Sequence, residues 1–565
     1  MRFLLLTLVS ATALGAACTA EDQGASALSG NTTAAKDGSV TNGDDTSSDD
    51  DTNVDGSIIP YDNDGSTLPD GAPLPPGSIY PTRSAYRIKA IQPDAWPNRA
   101  ELSGNNTGGV AMNMVWAAWE STKKAAPCDA ANEEEYDGRC FVIDKQTDTE
   151  ILEYSKLGLV VTGVVYGVPA WARRAGCSPQ AAGYEVFCVS TDAADYARFA
   201  GMIATRYDGA HGHGRIADFV IHNEVNSNDW YDVGCGQGTA CNTNAWIDKY
   251  SEDYKAAFDK ITAAQPAAKV LISLEHSFGQ SLDAPAATHA LLSGETFLTR
   301  FAQQVAPRAW RVAYHPYPKD LFAGTFSADD TPQVTYGNIG VIAGWLAKNF
   351  PAVPSAREIQ LTESGINSSA PSSSAAQALL VCASFINVLG TPGIENYVYH
   401  RMKDNVNEGG LLLGLRDVNG NVKEAWTTWA LANRNDLTPP KLSCGFENLP
   451  YTKLTRSFSA SRGHWASTRI PPAGFTAENT WKLFRDAKPK SHMLYECRVG
   501  NHNMVSGDVN CEGQGILGPL GYAYDAAEAG SVQLFRCQIG ADHFISTSAT
   551  CEGQTVNGSL GYVIP

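Results

Sequence analysis

Between residues 81 and 440 short apolar runs alternate with longer helix-forming segments, and this alternation restricts the fold more than any other feature of the chain. Val110–Trp116, Phe141–Asp144, Leu159–Tyr166, Asp218–Glu224, Val270–Glu275, Arg311–His315, Glu358–Glu363 and Glu395–His400 read as strands. Thr191–Tyr207, Asn244–Ala264, Ala287–Val305, Gly337–Phe350 and Ser373–Val388 read as helices between them, with Glu424–Asn433 closing the set. Eight strands joined by crossover helices predict an α/β fold, a (β/α)8 TIM barrel spanning residues 81–440. No Gly-x-Gly-x-x-Gly turn follows the first strand, which counts against an open dinucleotide-binding sheet.

In such a barrel the reactive groups sit at the C-terminal ends of the strands. The fourth run, Ala217-Asp-Phe-Val-Ile-His-Asn-Glu224, changes abruptly from apolar β-formers to three polar side chains. The seventh ends Gln360-Leu-Thr-Glu363. Either glutamate alone could cap a helix or pair with an arginine. Together, at strands four and seven of one barrel, they face across the same mouth. Glycosidic bond cleavage needs that arrangement, one carboxyl to protonate the leaving oxygen and a second to attack or to activate water. Trp171 and Trp230 are candidates to stack on sugar rings. Trp116, Glu275 and His276 are further candidates to line the cleft.

These residues resemble the clan A retaining glycoside hydrolases, such as families 5, 10 and 39. Asn223-Glu224 matches that clan's Asn-Glu pair after the fourth strand, and Thr362-Glu363-Ser364 its glutamate after the seventh. Tyr314-His315-Pro316-Tyr317 resembles its His-x-Tyr on the sixth strand, and Gly410–Asp417 with Gly420–Trp426 its closing loop and helix. The resemblance covers residues 100–435. It implies Glu224 as acid/base, Glu363 as nucleophile, Asn223 as a hydrogen-bond partner of the sugar 2-hydroxyl, and Tyr317 orienting the nucleophile with His315 lining the site. Where the clan carries a tryptophan platform on the eighth strand, this chain offers Tyr397, Tyr399 and His400, so Tyr399 and His400 stand as candidate substrate contacts. The substrate class implied is a polysaccharide or oligosaccharide. Two other readings have the same barrel: a non-catalytic surface protein that binds glycan, and a metal-dependent hydrolase of another bond type.

The formal net charge of −18 is concentrated rather than general. Residues 19–80 hold twelve Asp and Glu against Lys36, and so carry −11 of it. That segment is Ser, Thr, Asp, Gly and Pro with few bulky apolar side chains, and reads as a disordered acidic tether. No basic patch points to nucleic acid. Residues 1–18 read as an export signal, Arg2 followed by the apolar run Phe3–Leu14. Gly15-Ala16-Ala17-Cys18 resembles a bacterial lipoprotein processing site with its leucine one place early, which would lipidate Cys18 and hold the chain at a membrane surface.

Of the thirteen cysteines, ten fall into close pairs expected to form disulfides in an oxidising compartment: Cys128-Cys140, Cys177-Cys188, Cys235-Cys241, Cys497-Cys511 and Cys537-Cys551. Cys382, in an apolar run, reads as a buried thiol, and Cys444 has no assigned partner. No Cys-x-x-Cys pair or His/Cys cluster has zinc-site spacing, so neither metal nor other cofactor is expected. A monomer is expected.

After Pro439-Pro440 an internal repeat appears. Leu494-Tyr-Glu-Cys-Arg498 matches Leu534-Phe-Arg-Cys-Gln538, and Val509–Gln514 matches Ala549–Gln554. A degenerate copy begins at Leu454-Thr-Arg456. Three copies with short strands and Gly-rich turns predict a small all-β unit over 445–565, pseudo-threefold and trefoil-like, a candidate carbohydrate-binding unit unless His543, Phe544 and Tyr562 are simply core and turn residues.

Overall fold

The computed structural model describes residues 78–565 except 85, 181–185, 237, 282–289, 435–443 and 445–449. The export signal, Cys18 and all but the end of the acidic tether lie outside the described residues. Among the described residues no helix is long and apolar enough to cross a membrane.

Eight parallel strands close into a barrel. They are β1 Lys89–Ile91, β2 Gly109–Val115, β3 Val160–Tyr166, β4 Ile216–Ile221, β5 Lys269–Glu275, β6 Arg311–His315, β7 Ile359–Leu361 and β8 Ile394–Tyr399. Each is followed by a helix: α1 Arg99–Gly104, α2 Lys145–Lys156, α3 Ala193–Arg206, α4 Thr243–Ala264, α5 Gly294–Val305, α6 Gly340–Asn349, α7 Ser374–Leu389 and α8 Glu424–Leu431. Pairing of Lys89 with Tyr397 closes the ring. Alternate side chains divide between two apolar layers, as strand geometry requires. Val164, Val220, Leu271 and Ala313 meet inside the barrel. Val161, Phe219, Ile272 and Val312 instead join Phe199, Tyr250 and Phe301 of the helices in the main core.

The first barrel strand is Lys89–Ile91, and the expected strand at Phe141–Asp144 is not part of the barrel. Arg139–Val142 pairs with Glu133–Tyr136 in a separate hairpin, where Phe141 packs on Phe199. The reason is local. Lys89 is fully buried, and its Nζ donates to the carbonyls of Trp429, Ala430 and Ala432 at the C-terminal end of α8, where the helix dipole favours a cation. A three-residue strand that opens on lysine leaves no apolar run to read. Because the false strand and the missed one both precede β3, the segments ending near Glu224 and Glu363 remain fourth and seventh.

The floor of the barrel is polar. Asp218 points in from the start of β4, receives Thr162 Oγ1 and pairs with Arg83 from the segment ahead of β1. Burial raises the Asp218 carboxyl, but the charges of Arg83 and Lys269 outweigh it and hold it below the usual carboxylate range. Arg83→Ala would leave a buried, uncompensated charge and is expected to cost about 3–5 kcal/mol in urea unfolding. The double variant with Asp218→Asn should recover much of that. A single variant within about 0.5 kcal/mol of wild type would show that the pair does not hold the floor.

All five expected disulfides form. A sixth joins Cys382 to Cys444, so Cys382 is not a free thiol. It sits on α7, and its partner lies 62 residues further on, a separation at which sequence spacing carries no signal.

The C-terminal strands form three consecutive three-stranded antiparallel units. They are β9 Tyr451–Ser459, β10 Gly463–Ser467 and β11 Thr476–Phe484; β12 Ser491–Val499, β13 His502–Ser506 and β14 Gly515–Tyr524; and β15 Val532–Ile539, β16 Asp542–Ser546 and β17 Thr555–Val563. Arg–Glu pairs join the units in a cycle: Arg456 with Glu552, Arg536 with Glu512, and Arg469 with Glu496. This sheet docks on α6 at backbone distance. A Cβ on Gly340 would lie 2.5 Å from the Leu517 carbonyl, and one on Gly518 2.3 Å from that of Gly340. Buried Arg485 donates to the carbonyls of Leu389 and Ile394, and Asp329, from the loop between β6 and α6, pairs with both Arg462 and Arg498.

Candidate active site

Strand β4 ends at Ile221, so His222-Asn223-Glu224 begins the following loop rather than ending the strand. His222 and Glu224 both adopt left-handed backbone, with φ of 58° and 38°, a conformation non-glycine residues hold only where the surroundings impose it. Here they do. The His222 N–H donates to the Val165 carbonyl at 2.9 Å, and its ring stacks on Tyr196 with centroids 4.2 Å apart. The Glu224 N–H donates to Ser273 Oγ at 3.0 Å. Below the loop, Asp253 accepts from Tyr231 Oη at 2.6 Å and from Lys249 Nζ at 2.6 Å.

Three strand ends converge above the barrel interior. Glu224 Oε1 lies 2.8 Å from His315 Nδ1, and His315 Nε2 lies 3.0 Å from Thr362 Oγ1. Tyr317 Oη donates to Glu363 Oε1 at 3.0 Å. One ligand atom from each of Glu224, His315 and Glu363 lies within 4.8 Å of the others. One oxygen of each carboxylate therefore lies within 4.8 Å of one of the other.

Burial pushes the Glu224 carboxyl up to about 7; the His315 hydrogen bond opposes the shift and the Glu363 charge adds to it. For His315, burial disfavours the imidazolium, but its bond to Glu224 and the nearby Glu363 charge outweigh this and raise its pKa. The carboxyl that follows β4 is thus set to hold a proton near neutral pH.

The other expected contacts divide sharply. His400, buried at the end of β8, places Nδ1 2.6 Å from Gln92 Oε1 and Nε2 3.2 Å from Glu408 Oε1. Burial lowers its pKa, but Glu408 and the charge of Glu363 raise it further, which puts His400 in the electrostatic field of the site. Tyr399 is not brought there. Strand alternation turns it outward into the core between barrel and helices, where its hydroxyl donates to the Leu413 carbonyl. Trp116 is fully buried against Phe199. Trp171 packs edge-on to Trp116, with Lys123 and Arg139 over its ring. Glu275 binds Asn226 through side chain and backbone and so organises the loop after β4, and His276 is buried beside it. Asn223 is buried between His222 and Glu224. Trp230 is half-buried and stacks on Phe187.

A family profile described as "Family of unknown function (DUF5722)" matches residues 81–438, more than half of the chain. The chain belongs to that family. The matched region of this DUF5722 protein contains the whole barrel and all the residues placed in the site above. The sequence matches no curated protein. Among solved structures the DUF5722 chain is similar to a family 39 glycoside hydrolase from the gut symbiont Bacteroides cellulosilyticus WH2, with 10% identity over 87% of this chain and 83% of that one and a TM-score of 0.43. It is similar to the GH39 enzyme from Xanthomonas axonopodis pv. citri, with 14% identity over 63% and 67% and a TM-score of 0.40. It is also similar to GH5_18 from Streptomyces cattleya in complex with GlcNAc, with 15% identity over 64% and 83% and a TM-score of 0.40. At these scores the likenesses carry no argument about chemistry, which rests on the residues of this chain.

Gln92, Ser273, Glu408 and Phe187 belong to the site or its walls and were not legible as such. Gln92 follows the strand that the lysine conceals. Ser273 acts through Glu224, 49 residues away, Glu408 meets His400 only through the fold of the loop after β8, and Phe187 has no local pattern that separates it from a core aromatic.

Proposed function

We propose that this DUF5722 protein is an exported retaining glycoside hydrolase acting on a polysaccharide or oligosaccharide through Glu224 and Glu363. The observation that carries this reading is that one oxygen of each carboxylate lies within 4.8 Å of one of the other, a close approach that suits direct attack by one of them. Glu363, oriented by Tyr317, attacks the anomeric carbon as the bond to the leaving oxygen breaks, and Glu224 gives that oxygen its proton. A glycosyl ester to Glu363 results. Glu224, now ionised, takes a proton from water, whose oxygen attacks the anomeric carbon and releases Glu363. Asn223 holds the sugar 2-hydroxyl, and His315 and His400 line the ring site. Residues 81–440 form the catalytic unit and 445–565 a trefoil-like unit that holds carbohydrate. Six disulfides support export, and Cys18 is read as the lipid anchor.

The test is the stereochemistry of the first-formed product, followed by proton NMR, on whichever aryl glycoside or oligosaccharide the wild type cleaves. Retention is expected, and inversion would sink the mechanism. A second reading, metal-dependent hydrolysis, is favoured by one observation, that the donor atoms of Glu224, His315 and Glu363 are close enough to share a cation. Activity lost to EDTA and restored by one divalent cation would select it.

A further inference from the structure

On the β3–β4 side of the mouth stands an aromatic wall that the mechanism above does not use. Phe187 and Trp230 stack face to face, with centroids 4.6 Å apart and planes at 8°. Both are half-buried and rest on the inner layer of the barrel. Tyr166, at the top of β3, meets both rings edge-on at 5.3 and 6.0 Å.

The wall is braced from several directions. The Phe187 N–H donates to the Asp229 carbonyl at 2.6 Å, and the Asp232 N–H to the Phe187 carbonyl at 2.9 Å, so the loops after β3 and β4 are zipped together. Cys177-Cys188 ties down the residue next to Phe187, and Arg174 pairs with Asp232 at 2.7 Å. These bonds and the disulfide also leave two half-buried rings little freedom to move. Rings held in this way can meet a ligand face at little further cost in conformational freedom.

We propose that the Phe187–Trp230 stack is the platform for the leaving-group sugar, so that the bond cleaved joins two sugar rings rather than one sugar to a small aglycone. This rests on the hydrolase reading. Trp230 lies on the same loop as Glu224, the proton donor to the leaving oxygen, whereas Glu363, Tyr317 and His400 directly follow β7, β6 and β8. The ring that becomes bound to Glu363 occupies the β6–β8 side, and the departing ring occupies the side with the aromatic wall. An aromatic face covers the C–H face of a pyranose and removes apolar area from water.

The test compares two substrates with one glycon in the full chain: a glycosyl fluoride, whose leaving group has no ring, and an oligosaccharide. β-Glucosyl, β-mannosyl and β-xylosyl fluorides identify the glycon that the wild type accepts. Trp230→Ala and Phe187→Ala are expected to lower kcat/KM on the oligosaccharide about 10- to 100-fold, mainly through KM. Turnover of the fluoride should stay within about twofold, and Trp230→Phe should recover most of the loss. An equal loss on both substrates would assign the stack a purely structural role, and no loss on the oligosaccharide would place the departing ring elsewhere; either overturns the platform while wild-type turnover of the fluoride leaves the hydrolase reading standing. Absence of wild-type turnover on every substrate removes the hydrolase reading, and the platform with it.

Discussion

Glu363→Gln is expected to lower kcat by about 10⁴-fold or more on every substrate, with thermal stability close to that of wild type. The magnitude follows from what is lost. Without the carboxylate no glycosyl ester forms, and only binding and electrostatic contributions remain, as when the nucleophile is removed from other double-displacement enzymes. Stability should change little, because the amide keeps an acceptor for Tyr317 Oη, which donates to Glu363 Oε1 at 3.0 Å. A sharper readout uses Glu363→Ala with added azide. The anion enters the vacated space, attacks the anomeric carbon directly and yields a glycosyl azide of inverted configuration. Residual activity of the Gln variant above about one per cent, or azide that rescues nothing, would remove Glu363 from the role.

Glu224→Gln should behave differently, and the difference separates the two carboxyls. General acid catalysis is worth about 10²–10⁴-fold where the leaving oxygen needs a proton, so the loss should be of that size on an oligosaccharide and far smaller on a glycosyl fluoride. The pH profile gives a second test. Burial raises the Glu224 carboxyl from 4.5 to about 7, so wild-type activity should fall as pH rises through about 7. The Gln variant should lack that limb.

Stability falls over the same pH range as activity. A carboxyl whose folded pKa lies above its unfolded value binds more protons when folded, so its contribution is fully present below about 4.5 and is lost as pH rises to about 7. Above that range ionised Glu224 costs on the order of 3 kcal/mol. Glu224→Gln should therefore be the more stable protein at pH 8, by thermal melt, with the gap closing near pH 4. A Gln variant that melts below wild type at pH 8 would mean that the buried charge is better compensated than its burial implies.

The barrel was legible in the sequence because its signal is local and repeated. Apolar runs such as Val160–Tyr166 are buried on both faces, and helices such as α4 Thr243–Ala264 fill the crossovers between them. Glu224, Glu363, His315 and Tyr317 were legible because each follows such a run, and strand order alone brings their ends to one mouth. The five short-range disulfides belong to the same class, since a loop of a few residues keeps its cysteines near each other in almost any fold. Lys89–Ile91 was not legible, because its lysine is buried by donating to helix carbonyls more than 300 residues away.

Tertiary structure alone decided the rest. It joined Cys382 to Cys444, turned Tyr399 away from the site by strand alternation, and stacked Phe187 on Trp230. It also set the separation of the two carboxylates and the proton affinity of Glu224. Both quantities depend on how closely independent strands pack and how much water they exclude. Residue identity names the groups that can react; only the packing of distant segments fixes how near they stand and which of them keeps its proton.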